Sequence, residues 1–159
     1  MNKKIYAPCD LIDKLQEFSP KIVGFTNGCF DIIHIGHVRF LTEIKKSCDI
    51  LIVALNTDDS VKRLKGEKRP IVPLAARCEV VAALQCVDFV TYFSEDTPYN
   101  LIAKIKPNII AKGSDWPCEQ IVGRDIVLKN GGKVLSIDYI EGVSTTNIID
   151  KIINLYCND

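Results

Sequence analysis

The chain's only two histidines lie three residues apart, in the stretch Thr26-Asn27-Gly28-Cys29-Phe30-Asp31-Ile32-Ile33-His34-Ile35-Gly36-His37. If a helix begins at His34, residues three apart share a face, so both imidazoles point the same way. Imidazoles donate hydrogen bonds to phosphoryl oxygens, and a neighbouring phosphate favours their protonated form near neutral pH. A helix start adds unpaired N–H groups and a partial positive charge, which attract anions. Gly28 is expected to permit a tight turn, and Gly36 to let backbone approach a ligand. The stretch therefore reads as a phosphate-handling turn in which Thr26, Asn27, Gly28, Cys29, Phe30 and Gly36 are candidate ligand contacts. Cys29 is given no nucleophilic role.

Two later segments can serve the same ligand. Lys112-Gly113-Ser114-Asp115-Trp116 follows an apolar run; Asp115 can hold ribose hydroxyls, and Trp116 can stack on or shield a base or sugar. Ser144-Thr145-Thr146 precedes the last helical pattern, where a hydroxyl residue caps the helix and the helix start faces a second side of a phosphate chain. A basic stretch, residues 62–73, contains Gly66, Pro70 and Pro73 and is expected to be a mobile loop. Arg77 lies in the helix beyond it, within expected reach of the phosphates, and Asp58 doubles as a candidate cap for the helix holding Val61 and Leu64.

The elements that must position these residues alternate. Short runs rich in Ile and Val at 21–26, 49–55, 87–92, 108–111 and 133–137 read as buried parallel strands, continuous in hydrophobicity because helices cover both faces. Helical patterns fall at 38–46, at 74–85, after Thr97-Pro98 (read as N-cap and first-turn proline), before Gly131-Gly132 and at 147–156. The expected fold is α/β: one doubly wound, five-stranded parallel sheet, Rossmann-like, in a single domain over 1–159. Such sheets bind ligands beyond the carboxyl ends of their strands, near the point where strand order reverses. The first and fourth strands are the expected neighbours there.

The 159 residues are 47% hydrophobic and 25% charged, a globular balance. Twenty basic residues offset twenty acidic ones, so no net field directs the chain to nucleic acid or an anionic membrane. An anionic ligand must be held by local geometry. The longest purely apolar run, residues 50–55, is far short of the ~20 residues that cross a bilayer, and the first fifteen residues lack a signal-peptide pattern. A cytoplasmic protein is expected. Seven cysteines without a C-x-x-C pair read as reduced thiols, and no metal-ligand set is assigned.

Residues 28–37 resemble the G-x-F-D-x-x-H-x-G-H signature of cytidylyltransferase-like nucleotidyltransferases. Leu64-Lys65-Gly66 with Arg69-Pro70, Lys112-Gly113-Ser114-Asp115-Trp116, and Glu141-Gly142-Val143-Ser144-Thr145-Thr146-Asn147-Ile148-Ile149 resemble one branch, the D-glycero-β-D-manno-heptose 1-phosphate adenylyltransferases. The likeness covers about residues 21–153. It implies transfer of AMP from ATP to the sugar 1-phosphate, giving ADP-heptose for lipopolysaccharide core synthesis. It further implies Mg²⁺ carried with ATP and a homo-oligomer; the domain is often fused to a sugar kinase, for which 159 residues leave no room, so a stand-alone form is expected. His34, His37 and Lys65 would be catalytic, with Lys65 singled out over Lys62, Lys68 and Arg69. Lys112, Gly113, Asp115, Ser144, Thr145 and Thr146 would join the nucleotide site. Asp31 and Asp58 match acidic family positions, and with Arg77 and Trp116 would meet the sugar phosphate. The attacking phosphate is already ionised, so no strong base is required. The nearest alternative is a cytidylyltransferase acting on glycerol 3-phosphate, against which residues 138–141 lack that branch's arginine. A non-catalytic nucleotide-binding module is the other.

Overall fold

Burial on both faces explains why four of the five short apolar runs become strands, while residues 133–137, none of them buried, pair at the edge of the sheet. In the computed structural model, which describes residues 3–18, 21–114, 116–138 and 142–157, the strands are β1 (Val23–Gly28), β2 (Ile50–Asn56), β3 (Phe89–Phe93), β4 (Ile109–Gly113) and β5 (Lys133–Ile137). They form one parallel sheet in the order β3-β2-β1-β4-β5. Every residue of β2 is buried. Leu51, Val53 and Leu55 enter one apolar cluster with Phe40, Leu41, Ile44 and Val81. Ile50, Ile52 and Ala54 enter another with Leu11, Phe25, Ile102 and Val127. The two-residue period of a strand thus supplies both cores.

Seven α-helices accompany these strands among the described residues: α1 (Pro8–Leu15), α2 (Ile35–Lys45), α3 (Asp58–Lys65), α4 (Leu74–Ala82), α5 (Tyr99–Ile105), α6 (Arg124–Lys129) and α7 (Thr145–Tyr156). The sequence pattern does not announce α1, because it buries a single residue, Leu11. Its local signals are Pro8 at the helix start and Asp10 in the first turn. Just before it, the Tyr6 N–H donates to the Val90 carbonyl at 3.0 Å and the Val90 N–H to the Lys4 carbonyl at 2.8 Å. Those bonds cover the outer edge of β3, where an unpaired strand would otherwise be exposed.

Several expected boundaries move. Thr97 is not the cap of α5, since the helix begins at Tyr99 with Pro98 as its N-cap. Asp58 is the first residue of α3 and Thr57 its N-cap. The first four residues of the expected 62–73 loop complete that helix, so Lys65 stands on a helical turn. Gly131, at φ +75° just past α6, takes the left-handed conformation that favours glycine after a helix.

The carboxyl ends of β1 and β4 meet where the chain reverses the order of its strands. There the Thr26 hydroxyl donates to the Ala111 carbonyl at 2.9 Å, in a fully buried position. Segments following β1, β2, β3 and β4 gather above this point, joined by the start of α7.

Candidate active site

Between β1 and α2 the chain makes a turn that relies on two unusual residues. Phe30 and Ile32 adopt φ of 48° and 50°, a left-handed conformation costing roughly 1–2 kcal/mol for a residue with a Cβ. Gly28, the expected turn residue, remains in β1, where an added Cβ would stand 3.2 Å from the Phe30 ring. Asp31, between the two strained residues, has three donors on its carboxylate. Oδ2 accepts from Arg69 Nε at 2.7 Å and from the Ile71 N–H at 2.8 Å. Oδ1 accepts from the Val72 N–H at 2.9 Å. Burial pushes this carboxyl up, but those three donors outweigh it and hold it below the usual carboxylate range. The Asp31 carbonyl accepts from the Thr145 hydroxyl at 2.6 Å. One residue therefore ties together the histidine turn, the basic loop and the start of α7.

His34 is the N-cap of α2, and His37 lies one turn in. Their rings stack with centroids 3.9 Å apart and planes inclined at 31°, as their spacing required. His37 Nδ1 accepts the His34 backbone N–H at 3.4 Å, which places the proton of the neutral ring on Nε2. Burial, and then the neighbouring His34, push the His37 imidazole down to about 4, and burial lowers His34 as well. Without an anion beside them, both rings are neutral donors at pH 7. His34 Nδ1 is buried with no partner among the described residues.

These histidines line a cavity of about 770 Å³, the size of a small-ligand site. The same cavity takes in Asn27, Gly28, Cys29, Phe30, Asp31, Gly36, Lys65, Lys112, Gly113, Trp116, Ser144, Thr145 and Thr146. Lys112 Nζ donates to the Asn27 carbonyl at 2.8 Å, fixing its stem across β1 and β4. Ser144 caps α7 by accepting the Asn147 N–H at 3.0 Å. Trp116 is half exposed on the rim. Asp115 lies outside the described residues.

Three expected site residues lie elsewhere. Thr26 is spent in the strand-to-strand bond described above. Arg77 is 1% exposed, with its guanidinium on the carbonyls of Val72, Cys29 and Asn56 and, at 2.6 Å, on Asp58 Oδ1. A buried guanidinium needs such partners, and here they are protein rather than phosphate. Arg77 and Asp58 thus brace the floor, and neither lines the cavity.

Arg69, ranked below Lys65 in the sequence reading, also lines the cavity, and residues absent from that reading complete the walls, among them Asn56, Asp96 and Gln120. Asn56 had a local signal, being a polar residue at the end of an otherwise apolar strand. The others carried none, since their places follow from how the loops fold back.

Comparison with known proteins identifies the family and the fold. The family described as cytidylyltransferase-like matches residues 25–151. The bifunctional protein HldE of Nitrobacter winogradskyi is 56% identical over 129 residues, covering 81% of this chain and 26% of that protein. The HldE of Geobacter metallireducens is 50% identical over 154 residues, covering 97% and 31%. The chain thus spans about a quarter to a third of these curated relatives. Among solved structures, a lipopolysaccharide core biosynthesis protein from Thermoplasma volcanium superposes with a TM-score of 0.62 at 30% identity, covering 76% of this chain and 97% of that one. A pantoate-β-alanine ligase from Francisella tularensis, at 16% identity and a TM-score of 0.60 over 98% of this chain and 79% of that one, shares the fold.

Proposed function

The chain belongs to the cytidylyltransferase-like family, and on that premise we propose that it transfers AMP from ATP to D-glycero-β-D-manno-heptose 1-phosphate, releasing pyrophosphate and ADP-heptose. One observation carries the chemistry: a single cavity joins the stacked His34 and His37, the starts of α2 and α7, Lys65 and Lys112. That collection is built for a polyphosphate. The likeness to HldE along most of the chain supports the heptose substrate.

The sugar phosphate attacks the α-phosphorus in line, and pyrophosphate leaves as charge spreads over the phosphoryl oxygens. His37 donates from Nε2 and His34 from the adjoining ring, and the start of α2 adds its partial positive charge. Lys65 neutralises charge from the end of α3. Gly28, Gly113 and the Ser144–Thr146 turn shape the nucleotide's bed, and Trp116 covers the base or sugar.

A divalent cation, Mg²⁺ in this reading, suits the donor set as a passenger on ATP. Both Asp31 oxygens are occupied, and Asp96 is paired with Arg63 at 2.7 Å, so phosphate oxygens would supply most of its ligands. Bound there, it would neutralise phosphate charge. Cytoplasmic location and homo-oligomeric assembly belong to the same proposal; the assembly rests on the family resemblance and the location on the sequence pattern.

The test is pyrophosphate release from the purified chain with Mg²⁺ and each nucleoside triphosphate, offered heptose 1-phosphate or glycerol 3-phosphate. Release with ATP and heptose 1-phosphate is expected. Release only with CTP and glycerol 3-phosphate would sink the assignment, and nucleotide binding without release would identify a non-catalytic module.

A further inference from the structure

Three arginines approach the cavity region, and they differ in what their guanidinium groups have left to offer. Arg77 is buried with four acceptors. Arg63 is engaged by Asp96 and by the Ser94 carbonyl. Arg69 makes one side-chain bond, from Nε to Asp31; its two terminal nitrogens meet no acceptor among the described residues. Yet its side chain is only 15% exposed, and it lines the cavity with the histidines. Its backbone is also held, because the Arg69 N–H donates to the Gly66 carbonyl at 3.0 Å and the next two N–H groups bind Asp31.

Arginine presents five donors in a rigid fork that matches two phosphoryl oxygens. Here the inner edge of the fork is occupied by a buried carboxylate, which orients the plane and leaves the outer edge open. Arg69 and Lys65 both act on the Cys29 thiol electrostatically, so two cations flank the turn that leads to His34. A surface ion pair would leave the arginine's direction undefined; this one is fixed by an anchored loop.

We propose that the outer edge of the Arg69 guanidinium is a phosphoryl clamp, and that Asp31 is the positioning residue that aims it. This rests on the polyphosphate reading of the cavity and adds a contact that the reading does not require. The clamped group is a phosphate ester or anhydride, belonging either to the triphosphate or to the sugar 1-phosphate.

The experiment is calorimetric binding of tripolyphosphate, Mg²⁺-ATP and a hexose 1-phosphate to the full chain and to Arg69→Lys, which keeps the charge and loses the fork. At least ~10-fold weaker binding is expected. A loss on tripolyphosphate and ATP assigns the clamp to the nucleotide, and a loss on hexose 1-phosphate alone assigns it to the acceptor. Unchanged affinity for all three overturns the proposal and leaves the transferase reading intact. Failure of the wild-type chain to bind any of them overturns both.

A second measurement does not depend on a variant folding. The Arg69 Nε–H resonance of the wild-type chain should shift on saturation with whichever probe binds, and an unmoved resonance refutes the clamp. For Asp31 the readout is a split between kinetic constants. Asp31→Asn should raise KM for the same substrate as Arg69→Lys, non-additively in the double variant. A uniform fall in kcat without substrate preference would reduce Asp31 to scaffolding.

Discussion

Replacing Gly36 with alanine should separate catalysis from stability. Gly36 is the second residue of α2, and a Cβ there would stand 2.9 Å from His34 Nδ1 and 3.0 Å from its Cε1. Ordinary van der Waals contact is about 3.5 Å or more, so the ring must retreat by roughly half an ångström. The atom it meets belongs to a side chain, and the nearest backbone atom, the Val143 carbonyl, is a tolerable 3.7 Å away. Alanine also favours a helix over glycine by roughly 0.5–1 kcal/mol, which offsets much of the repulsion. The melting temperature should therefore move by no more than about 4 °C, the equivalent of ~1 kcal/mol in a chain of this size. The rate should not be spared. His34 stacks on His37 at 3.9 Å, so displacing one imidazole disturbs both, and the new methyl group narrows the approach of phosphate to the helix start. Loss of one aligned donor corresponds to at least ~10²-fold in kcat, or about 2.7 kcal/mol of barrier. Pyrophosphate release under saturating substrate, beside a thermal melt, reads both quantities. Wild-type turnover from a fully folded Gly36→Ala protein would refute the assignment of these rings to the transferring phosphates.

Other outcomes follow from the same geometry. His37→Ala should lower turnover by at least ~10²-fold, measured as pyrophosphate release, and a near-normal rate would remove that ring from the mechanism. Because the folded state holds His37 down to about 4 against about 6.5 when unfolded, its contribution is complete above pH 6.5 and is lost as pH falls toward 4. The ceiling is about 3 kcal/mol; urea melts at pH 7 and pH 4.5 should show a smaller acid loss in His37→Gln than in wild type. The lowered carboxyl of Asp31 acts in a more acidic window, present above pH ~4 and lost below it. Asp31→Asn leaves Arg69 without its counter-charge and should cost about 3 kcal/mol at pH 7, checked by denaturant titration. Gly132→Ala should destabilise strongly without touching the cavity, since its Cβ would fall 2.3 Å from the Asn108 carbonyl oxygen, and a thermal melt suffices to check it.

Legibility from sequence followed the range of the forces involved. The sheet was readable because a strand buried on both faces must be apolar along its length, as in residues 50–55. The pairing of His34 with His37 was readable because a helix start sets it locally. The surroundings of Arg77 were not legible, for the opposite reason. An arginine in a helix looks the same in sequence whether it faces phosphate or is surrounded by carbonyls, and only the convergence of Val72, Cys29, Asn56 and Asp58 gives it the second role. The partner of Thr26 was likewise not legible, because its hydroxyl answers to a carbonyl 85 residues away. Lys65 kept its place on the cavity but lost its mobile loop, since α3 runs on to reach it.

By itself the sequence determined an alternating α/β order, a helix-start turn with two coupled imidazoles, and the family to which those motifs belong. Each depends on residues within a few positions of one another, where periodicity and helix geometry leave little freedom. Tertiary structure decided which cations face the ligand and which hold the walls. It placed Asp31, read from sequence as a substrate contact, under Arg69, Ile71, Val72 and Thr145, and left one edge of a guanidinium open to the cavity. A charged side chain takes its role from whichever partners reach it first, and those partners arrive from distant parts of the chain only when the sheet has formed.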